Sequence, residues 1–215
     1  MIKKTLIFIL VLIVLYIVVV RPWMLRMGAT DEEIGAAIPG DGLVADPNWK
    51  YTQAVTINAP RETVWAYVVQ MGYKRAGWYN WDFINRMAGP GYFYEGNQSA
   101  NRIIPELQDL REGDKIHLTP QLGMEAEKVQ PPQTLMLTGK QNEDYLVAWT
   151  YQLQAVDEET TRLLVRWSSN QNEGWRLRLL NYLIIEPGGA GIQQWQNLQG
   201  IKIRAEKEFE AGARP

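Results

Sequence analysis

The chain has 215 residues, no cysteine, one histidine, nine tryptophans and ten tyrosines, and its 22 Lys+Arg against 24 Asp+Glu give a net charge of −2. Without Cys there are no disulfides, thiolate zinc sites, iron–sulfur clusters or cysteine nucleophiles, and the single His117 rules out any metal site that needs two imidazoles. The charge balance lacks the basic excess that a phosphate backbone demands, so no nucleic-acid partner is expected.

The first feature along the chain is an uncharged run, residues 5–20 (TLIFILVLIVLYIVVV), behind Lys3 and Lys4 and ahead of Arg21, Pro22 and Trp23. As a helix it spans about 24 Å, short of the ~30 Å hydrocarbon layer. Snorkelling Lys and Arg, with Tyr16 or Trp23 at an interface, close that gap. A cleavable signal has an apolar core of about 7–15 residues and a small-residue site just behind it. Here the large, basic segment RPWMLRM follows, so an uncleaved single-pass membrane anchor is expected over residues 1–26. Lys3, Lys4 and the terminal amine oppose Arg21 and Arg26, a near tie that tips the globular part to the extracytoplasmic side.

Residues 27–50 are rich in Gly, Pro, Ala and Asp, with a short helix near 30–37 that Thr30 or Asp31 would cap. A linker packed on the domain and a flexible spacer both fit this composition. The domain, residues 51–215, opens with a strand over 51–57. Asn58 or Ala59 then caps a helix with Pro60 in its first turn, a stripe of Val64, Trp65, Val68 and Met71, and Gly72 as terminator. A second short helix is predicted over 81–87, and strands over 115–118, 124–129 and 134–138. The strongest signal is a hairpin. Over 145–155, Val147, Trp149, Tyr151 and Leu153 share one parity, and over 162–168 Leu163, Val165 and Trp167 do. Arg166 lies on the other parity and faces either solvent or a second layer, solvent being the default for an isolated strand arginine. Residues 175–185 fit a strand or a buried helix equally well. Pro187-Gly188-Gly189 is expected to separate them from a long amphipathic helix bearing Ile192, Trp195, Leu198, Ile201, Ala205 and Phe209, with Gln193, Gln196 and Gln199 on its opposite face.

This order predicts an α+β fold, an antiparallel sheet curved around a long C-terminal helix, preceded by one transmembrane helix. Asn58-Ala59-Pro60 with Val64-Trp65, the Gly113-Asp114 turn, Thr161-Arg162-Leu163 and the closing segment Gly200-Ile201-Lys202-Ile203-Arg204-Ala205-Glu206 resemble the SRPBCC superfamily, which includes START domains and polyketide cyclases. Met27-Gly28-Ala29-Thr30-Asp31-Glu32-Glu33, Gln70-Met71-Gly72, Ala76-Gly77-Trp78-Tyr79 and Ser99-Ala100-Asn101-Arg102-Ile103 resemble a bacterial, membrane-anchored branch of it. The resemblance implies a helix-grip fold with an internal pocket for an apolar ligand.

The densest polar–aromatic run is Trp78-Tyr79-Asn80-Trp81-Asp82, followed by Tyr92-Phe93-Tyr94-Glu95. Aromatic walls with a few hydroxyls and one carboxylate suit an apolar ligand with a polar end, although the same rings would also serve to close a core. The candidate ligand contacts are Trp78, Tyr79, Trp81, Asp82, Tyr92, Tyr94, Arg102 and Trp149. Arg102 is expected to pair with Asp82 or Glu106. His117 fits an outward strand face, and no nucleophile-elbow, Walker or dinucleotide glycine pattern is present. The expected function is membrane-tethered binding of a lipid or other apolar small molecule, with no cofactor and no metal. The alternative is a cyclase/dehydrase-like enzyme acting on an apolar carbonyl substrate through Tyr79, Asp82 or Arg102.

Overall fold

A computed structural model describes residues 2–87, 89–170 and 174–212. It begins with a continuous helix, α1 (Lys3–Leu25), whose apolar side chains from Leu6 to Leu15 and from Val18 to Val20 are exposed, while Leu25 at its end is buried. α2 (Asp31–Gly35) follows, closed by a capping box in which Thr30 accepts from the Glu33 amide while the Glu33 carboxylate accepts from the Thr30 amide. The sheet has six antiparallel strands: β1 (Trp49–Ile57), β2 (Lys115–His117), β3 (Gly123–Gln130), β4 (Thr134–Gln141), β5 (Asp144–Ala155) and β6 (Thr161–Ser169). Their spatial order is β1-β6-β5-β4-β3-β2, so the first strand pairs with the last. Two helices, α3 (Arg61–Val69) and α4 (Asp82–Arg86), fill the connection from β1 to β2. The C-terminal helix begins as α5 (Trp175–Leu180), passes through a π-helical stretch, Asn181–Gly191, and continues as α6 (Ile192–Gly212). The fold is a helix-grip-like α+β arrangement.

Strand alternation decides what each sheet face meets. Tyr51, Val55, Trp149, Tyr151, Leu163, Val165 and Trp167 share the face that packs under α6, where Leu198, Ile201 and Ala205 are fully buried. The opposite face carries Thr52, Thr150 and Arg166, and residues 28–50 cover it. Arg166 is therefore not solvent-facing: it is 3% exposed on β6. Its guanidinium donates to the Glu33, Ile34 and Ala36 carbonyls, to Thr52 Oγ1 and to Asp41. A buried guanidinium is tolerated because its donors find the orphan carbonyls at the end of α2 and one carboxylate. Beside it Arg162 binds both carboxylate oxygens of Glu33, at 2.7 and 2.8 Å, and donates to the Gly28 carbonyl at 2.6 Å.

Two further local expectations are corrected. Pro60, not Asn58 or Ala59, occupies the cap position of α3, and the Asn58 amide instead donates to Glu206 of α6 at 2.8 Å. Pro187 does not break the C-terminal helix. The widened π-helical hydrogen bonding around it absorbs the missing N–H, so the helix runs on from α5 to α6.

The strap should respond to acid. Hydrogen bonding to Arg162 holds the Glu33 carboxyl below its ordinary range. Burial pushes the Asp41 carboxyl up, but the Ile38 amide, Lys50 and Arg166 outweigh it, so Asp41 also sits low. A depressed folded-state value contributes stability that is complete at neutral pH and is lost as pH falls through that value. The melting temperature should therefore drop below about pH 5, and Glu33→Gln should flatten that acid limb. Arg166→Leu, which removes the donor to three carbonyls and one of the three donors to Asp41, should cost about 3 kcal/mol in thermal or denaturant unfolding.

Candidate functional site

The sheet face under α6 carries an aromatic ledge that runs across three strands. Register places Tyr51 of β1 opposite Trp167 of β6, and Trp167 opposite Trp149 of β5. The Tyr51 and Trp167 rings lie parallel with centroids 6.3 Å apart, and Trp149 meets Trp167 edge-on at 5.5 Å. Trp78, from the loop after α3, stacks on Trp149 at 5.1 Å. Above this ledge opens a cleft of about 410 Å³. Its other walls come from α4 (Ile84, Asn85), the β2–β3 turn (Leu118, Thr119) and the start of α6.

The polar part of the cleft is built from amides. Gln194 Oε1 accepts from the Trp149 indole at 3.0 Å, and its Nε2 donates to Asn197 Oδ1 at 2.8 Å. Asn197 Oδ1 also accepts from the Tyr151 hydroxyl at 3.1 Å, and Asn197 Nδ2 donates to the Trp78 carbonyl at 2.7 Å. A second relay, Asn85 to Asn80 at 2.7 Å and Asn80 to Gln193 at 3.4 Å, runs from α4 to α6. The indole N–H of Trp167, buried beside the cleft, has no hydrogen-bond partner in the structure.

Among the described residues, tyrosines are the only ionisable side chains in the lining. Burial drives the Tyr51 phenol well above its ordinary value and pushes Tyr92 up to about 12. Both are neutral at physiological pH, and the Tyr92 hydroxyl donates to the Leu118 carbonyl at 2.8 Å. The cleft is an uncharged, aromatic surface with several fixed amides. Among the described residues no cluster of three or more His, Asp or Glu side chains is arranged to hold a metal ion.

Of the eight residues singled out from sequence, Trp78, Tyr92 and Trp149 line this cleft. The other five lie elsewhere. Tyr79 points away: its backbone takes a left-handed turn at φ 55°, its hydroxyl accepts from Gln70 at 2.7 Å, and the Arg204 guanidinium covers its ring at 4.7 Å. Asp82 accepts from the Ser99 amide at 3.0 Å and the Ser99 hydroxyl at 2.6 Å, tying α4 to the following loop. Arg102 pairs with Glu95 at 2.5 Å, not with Asp82 or Glu106, and shares a separate surface groove with Tyr94. Trp81 is half-exposed beside Phe83. Tyr79, Asp82 and Arg102, the alternatives considered for polarising a carbonyl, are all absent from the cleft lining.

Sequence reading missed Tyr51, Trp167, Gln194 and Asn197 as parts of the site. A signal for the amides was present: Gln194 and Asn197 fall at helical spacing with Ile201 and Ala205 on the apolar stripe of α6, where an amide must be buried with partners.

No protein-family model matches the chain, and no curated protein matches it. Solved structures of similar shape include the Zhui aromatase/cyclase from Streptomyces sp. R1128 (13% identity, 78% of this chain and 99% of that one, TM-score 0.44). Another is the self-sacrificing resistance protein CalC from Micromonospora echinospora (16% identity, 76% and 96%, TM-score 0.41). A third is protein CV1439 from Chromobacterium violaceum (14% identity, 74% and 98%, TM-score 0.40). The likeness is one of fold alone.

The amide network should be structurally expensive to cut. Asn197→Leu strands the Tyr151 hydroxyl and the Trp78 carbonyl, and should cost about 2–3 kcal/mol. Gly200→Ala should be worse, because its Cβ would lie 2.0 Å from the backbone oxygen of Tyr79. Trp167→Phe removes an N–H without a partner and should change stability by less than about 1 kcal/mol. Thermal melts of the three variants check this ordering.

Proposed function

We propose that this chain is a membrane-anchored, helix-grip binding protein that holds an apolar molecule with a small polar end in the cleft over Trp149 and Trp167. The observation that carries this reading is the lining: aromatic, uncharged, floored by amides, and about 410 Å³ in volume, within the usual range for small-molecule sites. No lining group titrates near neutrality, which favours binding over acid–base turnover.

Anchoring by a retained helix is supported by the way the chain leaves α1. The Met27 carbonyl accepts from Ala54 of β1 at 3.1 Å, the Met24 carbonyl accepts from Gln53 at 2.8 Å, and Leu25 and Met27 are buried in the domain. The end of the apolar helix is thus part of the packed fold. In this reading Lys3 and Lys4 form the cytoplasmic flank and the domain stands outside, as a member of the membrane-anchored branch that the sequence resembles.

Full-length protein in nanodiscs, photolysed with a long-chain alkyl diazirine, should acquire adducts on cleft peptides containing Trp149, Trp167 and Tyr92. Ala190→Trp, which fills the cleft, should abolish those adducts and leave adducts on α1 intact. Labelling confined to lipid-facing segments, with the cleft peptides clean, would overturn the binding reading.

A further inference from the structure

The segment that sequence reading left undecided, residues 175–185, is helical and exposes Trp175, Leu177, Leu179, Leu180, Tyr182, Ile184 and Ile185, with Trp175 71% exposed. Seven large apolar side chains on one exposed stretch are not an ordinary water-facing surface. The position of the segment says what covers them. It runs alongside α1, and the contacts advance in the same direction on both helices. The Tyr16 hydroxyl donates to the Leu183 carbonyl. Arg21 donates to the Tyr182 carbonyl at 2.8 Å, lies over the Tyr182 ring at 3.6 Å and pairs with Glu186. Gly191 lies beside the end of α1, where a Cβ on it would stand 3.6 Å from both the Leu25 side chain and the Met24 carbonyl oxygen. Leu183 is therefore level with Tyr16, which lies about 6 Å inside the apolar run that ends at Val20. The only charges on the segment are Arg176, whose guanidinium lies over the Trp175 ring at 5.4 Å, and Arg178, which lines a cavity with Asn48 and Trp49.

Ile185 also lines the ligand cleft. The other two outer walls of the cleft, α4 and the β2–β3 turn, carry further exposed apolar side chains: Phe83, Met87 and Leu122. Three segments far apart in sequence that each supply part of the cleft wall thus carry exposed apolar groups, in a chain whose first helix is long and apolar enough to cross a membrane.

We infer that residues 175–185 form a second membrane-embedded element beside the anchor, and that the mouth of the cleft, bordered by Phe83, Met87 and Leu122, faces the lipid, so that ligand moves laterally between bilayer and cleft. The lateral route rests on the binding reading above; the embedding of the segment does not.

The absence of cysteine makes the test direct. Single variants Leu179→Cys, Ile184→Cys, Leu122→Cys and, as control, Val156→Cys on the β5–β6 turn each carry an environment-sensitive fluorophore at an exposed position. The full chain is reconstituted in phosphatidylcholine–phosphatidylglycerol vesicles with or without doxyl-labelled lipid. Blue-shifted emission and several-fold stronger doxyl quenching at 179, 184 and 122 than at 156 is the expected result. Emission at 179 and 184 that matches 156 and is quenched by aqueous iodide would overturn the embedding. Quenching at 179 and 184 with a water-like signal at 122 would overturn the lipid-facing mouth. An empty cleft would leave all four signals unchanged, so failure of the binding reading is read separately, from the diazirine adducts. Circular dichroism of each labelled variant confirms that the fold is retained.

Discussion

An arginine buried in the middle of a sheet has five N–H donors that must all be satisfied, and in this chain that requirement organises everything upstream of the domain. Arg166 meets it with the carbonyls that end α2, with Thr52 and with Asp41, so residues 28–50 are held as a strap across the sheet. The strap in turn fixes where α1 leaves the domain, because Gly28 lies against Ala54 so closely that a Cβ there would meet its carbonyl oxygen at 2.1 Å. With its exit fixed, α1 runs beside the π-helical segment, through Tyr16 and Arg21. One buried charge on β6 is thus linked to the placement of the N-terminal helix.

Much of the architecture was legible from alternation and turn chemistry. Period two marked β5 and β6 because only one face of each meets α6, and the same parity put Trp149 and Trp167 side by side. Arg166 was misread for a physical reason. Periodicity reports that two faces differ, and it cannot report that a polar face is covered by a separate stretch of chain. Pro187-Gly188-Gly189 was misread because a proline ends an α-helix only when its missing N–H has no alternative, and a π-helical turn supplies one.

The site was less legible than the fold. The run Trp78–Asp82 looked like a single surface, yet the left-handed turn at Tyr79 sends Trp78 into the cleft and Tyr79 behind it, against Gln70 and Arg204. Adjacency in sequence was a poor guide there. The residues that complete the cleft come from β1, β6 and the first turns of α6, brought together by sheet register and by the length of a helix, which no local window contains.

The charge-free lining has a consequence for selectivity. A ligand drawn from water would gain mainly from burying its apolar surface. A ligand drawn from lipid has already made that gain, since acyl chains are as apolar as the cleft walls. On the proposed reading, transfer from bilayer to cleft would be decided by what lipid cannot offer, ring stacking on Trp78, Trp149 and Trp167. Most amides in the floor are already engaged with one another, so they fix the shape of the cleft more than they bind. The Trp167 indole N–H is the exception, a buried donor without a partner beside the cleft. Its nitrogen has almost no accessible surface even with the cleft empty, so it belongs to the wall and does not face a bound molecule. Discrimination among apolar molecules would then rest on ring geometry and cleft shape, with apolar area contributing to occupancy but little to choice.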